Sequence, residues 1–472
     1  MKSHLFRMVT KLGLMAALFV AATSLAWAKS KRVLVVSVTA GFRHSSIETA
    51  QRTLKALGEN DGGFTVVDVA DTGPRPKEQT PEEAAWLERT TKLLAEKMSA
   101  EALQQYDGII FANTTLDLPM PNPPDLIDFV QSGKAFIAMH SGSDTFHSPK
   151  GKISPYVDML GGEFLTHGAQ ATVECINQDP AHPATRNFND SFWVHDEIYI
   201  FQNFHRERVH GLLTQDKHPN TQMPGDYPVS WCKQFGKGRV FYTSLGHRED
   251  VWENQSYQKH ITGGIRWALG LERGAAKPQD LRAKLSNAEK REGFRPLFDG
   301  VDLKGWHLRN PKANPSWSAQ NGMLVNEISK DKHGTDLVSD EKFSDFTIRY
   351  EYMIPKGSNS GLYLRGRHEI QILDDFGATE MRPGSNGGLY TIKAPPRNVS
   401  RKPGQWQQAE ATIKGNRVSV TLNGLKIHDN VEANKSTGGH LDENVAEPGP
   451  IMLQGDHGAI AFRNIRIKPL GK

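Results

Sequence analysis

The chain has 472 residues, with 57 Lys or Arg against 53 Asp or Glu, 38% hydrophobic and 23% charged, a balance that excludes a disordered, fibrous or collagen-like chain. At roughly 150 residues per domain the length allows two or three domains that each bury a core, so a small disulfide-stapled scaffold is excluded too. The formal charge of +4 comes without a Lys/Arg tract and leaves no electrostatic footprint for nucleic acid.

At the N-terminus Lys2, Arg7 and Lys11 precede an apolar run over 12–22 and the small-residue pattern Ala26-Trp27-Ala28, which reads as a secretory signal cleaved after Ala28. Cleavage removes three cations and no acid and takes the charge to +1. No later stretch approaches the ~20 apolar residues of a membrane span. The expected protein is therefore exported, periplasmic or extracellular, without an integral span once the signal is removed. Cys175 and Cys232 suit either a disulfide in an oxidising compartment or two buried thiols.

From residue 31, Val/Ile-rich runs alternate with amphipathic segments: a strand over 33–38, a helix over 46–57, a strand over 64–69 and a long helix over 80–105. Thr80-Pro81-Glu82-Glu83 opens that helix with a cap residue, Pro at the first helical position and acids in the first turn. A buried strand over 108–112, a Pro-rich loop, a short helix around 125–130 and a strand over 135–139 follow. The alternation predicts βαβ units and an open, mostly parallel α/β sheet over 31–271. Residues 272–293, charged and poor in large apolar side chains, read as a linker. Over 294–470 the helical period disappears. Short alternating runs at 346–353, 361–365, 369–373, 409–413, 417–422 and 460–467, with Asn423-Gly424 as a hairpin signal, predict an all-β sandwich.

Ten of the 18 histidines lie between His140 and His260, and open α/β sheets bind ligands at the carboxyl ends of strands. Arg43 and His44 follow the first strand and precede a helix, a position suited to an anionic or hydroxyl-rich ligand. No G-x-G-x-x-G follows that strand and no G-x-x-x-x-G-K-S/T occurs, so no nucleotide cofactor is expected. The motifs Gly41-Phe-Arg-His44, Met139-His-Ser-Gly-Ser-Asp144, Leu160-Gly-Gly-Glu-Phe164 with His167, His182-Pro183, Asp196-Glu-Ile-Tyr199 and Gly236-Lys-Gly-Arg-Val-Phe-Tyr242 through Gly246-His247 resemble the ThuA-like (trehalose utilisation) family. That family is a branch of the class I glutamine amidotransferase-like fold, which implies a flavodoxin-like parallel sheet. Amidotransferases of this fold carry a nucleophilic Cys in a G-x-C-x-G turn. Here the turn reads Ala138-Met-His140-Ser-Gly142, so thioester chemistry is not expected. His44, His140, His167, Asp196, Glu197 and His247 remain as groups for proton transfer, sugar recognition or a divalent metal, with His140, His167, His247 and Glu197 as candidate metal ligands.

In the second domain Phe294-Arg-Pro-Leu-Phe-Asp-Gly300, Asn359-Ser-Gly-Leu-Tyr-Leu-Arg365, His368-Glu-Ile-Gln-Ile-Leu-Asp374, Gly388-Leu-Tyr390 and Gly449-Pro-Ile-Met-Leu-Gln454 with His457 and Arg463 resemble the 3-keto-disaccharide hydrolase domain family. The resemblance implies a concanavalin-like jelly roll. Independently, alternation places Glu369 and Gln371 on one strand face and Ile370 and Ile372 on the other, with Tyr363 and Arg365 at alternate positions before them. The expected roles are Glu369 as general base, Arg365 and His457 near the oxyanion, and Asp374 or Gln371 orienting the sugar or holding a metal. His140 is a further catalytic candidate, while Tyr363, Gln371, Gln454, Arg463, His44, Arg43, Asp196 and Glu197 are expected to bind substrate. The sequence thus reads as an exported enzyme that cleaves 3-keto-glycosides, small oxidised sugars, by ketone-assisted hydrolysis or elimination and hydration. The alternative is a carbohydrate-binding jelly roll attached to a ThuA-like domain that carries the chemistry or only binds sugar.

Overall fold

The computed structural model describes residues 30–328 and 334–471; the expected signal at 1–28 lies outside the described residues. The N-terminal half carries strands β1 (Lys31–Val36), β2 (Phe64–Ala70), β3 (Gly108–Ala112), β4 (Ala135–Met139), β5 (Glu163–His167), β6 (Ala171–Asn177), β7 (Ser191–Asp196), β8 (Tyr199–Gln202), β9 (His210–Lys217), β10 (Pro224–Phe235) and β11 (Gly238–Thr243). Nine of them form one sheet in the order β2-β1-β3-β4-β11-β10-β9-β6-β7. The first five run parallel. β3 and β4 are buried at every position, which explains their unbroken apolar runs, because helices cover both faces of a parallel sheet.

The expected parallel arrangement covers five of the nine strands, and β10, β9, β6 and β7 extend the sheet antiparallel. The short β9–β10 and β10–β11 connections return the chain at once and leave no length for a crossover. The single helix expected over 80–105 is two, Pro81–Met98 and Ala100–Leu103. Ser99 has extended backbone between them, and its hydroxyl accepts from the Ala102 N–H as a new N-cap. Thr80 caps the first helix as expected, its hydroxyl accepting from the Glu83 N–H at 3.2 Å.

The C-terminal half carries β12 (Arg295–Pro296), β13 (Trp306–Leu308), β14 (Trp317–Gln320), β15 (Met323–Asn326), β16 (Leu337–Phe343), β17 (Phe346–Met353), β18 (Asn359–Leu364), β19 (His368–Leu373), β20 (Gln407–Lys414), β21 (Arg417–Leu422), β22 (Leu425–Glu432), β23 (Gly449–Leu453) and β24 (Ile460–Pro469). One sheet runs β14-β15-β24-β17-β20-β21-β22 with β12 on β24, and a five-stranded sheet runs β13-β16-β23-β18-β19. Their facing side chains, among them Leu362, Leu364, Ile370, Ile372, Ile451 and Leu453 from the smaller sheet, make one core. Asn423 and Gly424, both at positive φ, join β21 to β22 as the hairpin signal requires. The reverse face of the five-stranded sheet carries Val338, Tyr363 and Met452, covered by Leu441. Cys175 and Cys232 are both free and buried. Among the described residues no helix is long and apolar enough to cross a membrane.

Candidate functional sites

Two constellations stand out, one per domain. In the first, loops leaving the carboxyl ends of β1, β4 and β11 bring His44, His140 and His247 to Glu197, which follows β7. His140 directly follows β4. Its backbone is left-handed, φ 48°, a strained conformation for a residue with a Cβ. Tyr242 holds that turn by donating to the His140 carbonyl at 2.8 Å. The imidazole Nδ1 of His140 is 2.8 Å from the Ser244 carbonyl, and its Nε2 is 3.1 Å from His44 Nε2 and 2.9 Å from Tyr199 Oη.

Gly246 anchors the last member of the set. Its carbonyl accepts from Ser46, Asn113 and Trp252, and its N–H donates to Asp196 at 2.7 Å. His247 Nδ1 then lies 3.2 Å from Glu197 Oε2, and His167 Nδ1 lies 3.1 Å from Glu197 Oε1. Burial lowers the His44 imidazole to about 4 and holds that of His140 well below its ordinary value, so both are neutral at pH 7. Burial opposes the Glu197 charge, but His247 and His167 hold its titration below the ordinary value. Three neutral or shared imidazoles with one ionised carboxylate are the donor types of a divalent transition metal. His167, expected as a ligand, is largely exposed outside the four-residue group, and His44 takes that place. Asp196 is fully buried on the Gly246 N–H; it positions the His247 turn rather than touching substrate. Arg43 is likewise engaged, making a bidentate pair with Asp71 at 2.9 and 2.8 Å.

The second constellation lies on the reverse face of the five-stranded sheet. Pairing sets Tyr363 opposite Glu369 and Gly361 opposite Gln371, while Ile370 and Ile372 point into the core as alternation required. Glu369 is 2% exposed. Its carboxylate overlies Gly361, where a Cβ would collide with Oε1. Tyr363 Oη lies 2.9 Å from Glu369 Oε2 and 2.9 Å from the Gly438 carbonyl, sharing one phenolic hydrogen between them. Burial raises the Glu369 carboxyl to about 7; Tyr363 and His457 oppose the rise, and Asp336 and Asp456 add to it.

Gln454 extends β23 beside Gly361, its N–H donating to the Gly361 carbonyl at 2.9 Å. Its side-chain Oε1 is buried without a hydrogen-bond partner among the described residues. His457, hydrogen-bonded to Asp456, is half exposed at the rim. Two members went unforeseen: Asp336, a buried carboxyl raised by burial and bonded to Arg309 at 3.0 Å, and Asp456. Only register across the sheet identifies Asp336, because it neighbours Gln454 through the β16–β23 pairing; no motif marks it.

Three other expected members lie elsewhere. Arg365 has φ 54°, so β18 has already turned and the alternation with Tyr363 is broken. Its buried guanidinium donates to the Ser344, Gly415 and Val445 carbonyls and to Asp345, which makes it a loop clamp. Arg463 sits on β24 in the other sheet, 2.7 Å from Glu351 and 3.9 Å over the Trp406 ring. Asp374 follows β19, about 16 Å along the chain from Glu369, and accepts from the Gly357 N–H at 2.8 Å. Gln371 shares the Glu369 face but spends its amide on Asn359 at 2.6 Å.

Comparison with known proteins matches residues 32–268 to the ThuA family, described as trehalose utilisation, and residues 293–468 to the 3-keto-alpha-glucoside-1,2-lyase-like domain. A protein of Bacteroides thetaiotaomicron named 3-keto-disaccharide hydrolase is 27% identical over 302 residues, covering 52% of this chain and 98% of that protein. A Parabacteroides distasonis structure provisionally assigned as a glycosyl hydrolase is 30% identical with TM-score 0.32, covering 38% of this chain and 84% of its own. A Bacteroides uniformis structure provisionally named ThuA-like is 18% identical with TM-score 0.37, covering 53% and 96%.

Proposed function

We propose that this chain, which belongs to the ThuA family and carries a 3-keto-alpha-glucoside-1,2-lyase-like domain at its C-terminal end, is an exported enzyme whose jelly roll cleaves 3-keto-glycosides. The observation that carries the reading is Glu369, a carboxyl buried on a polar sheet face, overlying a glycine, with its titration lifted to about 7. A base that titrates near the working pH is matched to removing a carbon-bound proton. The name of the Bacteroides thetaiotaomicron relative supports the substrate class, and the signal pattern at residues 1–28 supports export.

A ketone at C3 of the sugar acidifies the C2 hydrogen. Glu369 takes it as a proton, the electron pair left at C2 forms the C1=C2 bond, and the C1–O bond breaks with its pair on the departing oxygen. His457, at the rim, is the group placed to protonate that oxygen. The Gln454 amide is the donor available to the ketone oxygen as it gains charge. Water then adds at C1, giving up a proton to the His457 imidazole, and Glu369 returns its proton to C2, so the net change is hydrolysis.

The test incubates the protein with 3-keto-trehalose and, as control, trehalose. Glucose release from the keto sugar alone is expected, slowed at least ~100-fold in Glu369→Gln with binding retained. Turnover at the parental rate in that variant removes the chemistry from this face. Export is checked by N-terminal sequencing of the secreted protein, which is expected to begin at Lys29.

A further inference from the structure

We propose that His44, His140, His247 and Glu197 hold one divalent transition-metal ion of the zinc class, and that this ion presents its open positions to the vicinal oxygens of a polyhydroxylated carbonyl compound. The centre lies in the other domain from Glu369 and stands independently of the reading given for that residue.

The four side chains each offer one donor atom, all within 4.8 Å of one another. An ion with bonds of about 2.05 Å spaces adjacent donors by roughly 2.9 Å in an octahedral shell, which four protein ligands leave with two open positions, and by roughly 3.3 Å in a tetrahedral shell, which they would fill. The gaps here are 3.1 Å from His44 Nε2 to His140 Nε2, 3.2 Å from His247 Nδ1 to Glu197 Oε2, and 3.9 Å from His140 Nε2 to Glu197 Oε2.

Hydrogen bonding on the outer side of the His140 and His44 rings agrees. The Ser244 carbonyl can only accept, so the His140 hydrogen sits on Nδ1 and its Nε2 presents a lone pair. The Ser141 hydroxyl, 3.3 Å from His44 Nδ1, is able to accept its hydrogen, the outer-shell arrangement of a metal-binding imidazole, and in that tautomer Nε2 is the inward lone pair. In that tautomer the two lone pairs face each other at 3.1 Å and repel unless a cation lies between them. Tyr199, 2.9 Å from the His140 nitrogen, can donate to one and leaves the other unanswered.

The ligand class follows from the adjoining wall. Phe164 packs on Tyr199 with ring centroids 4.3 Å apart and lines a cavity of about 660 Å³ with Arg75, Asp117, Asp144, Gln202 and Leu165. A lining that mixes charged and amide groups with apolar ones suits a polyol that carries several hydroxyls and one apolar face.

The test titrates the chelator-treated full chain with Zn²⁺ and with Co²⁺ by calorimetry, and counts bound metal by mass spectrometry after dialysis. One ion per chain is expected, bound ~100-fold or more weakly in His44→Ala and in the near-isosteric Glu197→Gln. The visible bands of the cobalt form are expected to move with 3-keto-glucose and not with trehalose. Absence of a bound ion in the parent overturns the metal site. So does parental affinity in Glu197→Gln with circular dichroism matching the parent. Bands that ignore the keto sugar, or move equally with trehalose, overturn the ligand class.

Discussion

Replacing Glu369 by Gln is expected to make the protein more stable above neutral pH while abolishing turnover. Burial lifts this carboxyl from its ordinary 4.5 to about 7. The unfolded chain ionises it at the ordinary value, so between those two points the folded state holds a proton that the unfolded state lacks. Stability contributed by the protonated group is complete below about pH 4.5 and is lost as pH rises through about 7. At ~1.36 kcal/mol per unit, the loss levels off near 3 kcal/mol.

Glutamine keeps the shape and an acceptor for Tyr363 but has no charge to bury. Urea unfolding followed by tryptophan fluorescence should therefore give nearly equal stabilities for parent and variant at about pH 4.5 and a gain of about 2–3 kcal/mol for the variant at about pH 8.5. A pH-independent difference, or a variant less stable at alkaline pH, would refute the reasoning. It would show the carboxylate already compensated where it sits, and the case for a near-neutral base would fall with it. Stability gained as activity is lost is the usual signature of a site that carries a buried functional charge.

Tyr363→Phe removes the hydrogen bond that favours the ionised carboxylate, so the acid limb of kcat/KM should move to higher pH; a limb that stays put dissociates Glu369 from the rate. Gly361→Ala places a Cβ against Glu369 Oε1 and should cost about 1–3 kcal/mol together with most of the turnover, as read by thermal unfolding and initial rates; parental rates would show that the carboxylate position is not critical. Arg365→Ala strips a buried guanidinium from three carbonyls and Asp345 and should lower stability by about 3–5 kcal/mol. A parental melting temperature with lost activity would return Arg365 to the chemistry.

The parts of the fold legible beforehand share one property, that their signal is local. Strands at 108–112 and 135–139 coincide with the buried β3 and β4 because helices on both faces demand continuous apolar runs. Glu369 and Gln371 fall on one face because pleating has period two. The illegible parts depend on single conformations or distant pairings. One left-handed residue, Arg365, ends β18 a position early and sends an expected catalytic cation into a loop. Arg463 and Tyr363 look alike as alternating strand positions, yet they lie on different sheets. Asp336 reaches the polar face only through the pairing of β16 with β23.

Sequence alone determined the two-domain plan and the face of β19 that carries Glu369, since composition, period and turn residues act over a few positions. Tertiary structure decided that His44 and not His167 joins His140, His247 and Glu197, and that Gly361 makes room for a base. Those choices follow from strand order and loop closure, which bring together residues far apart along the chain and leave no trace in the local pattern.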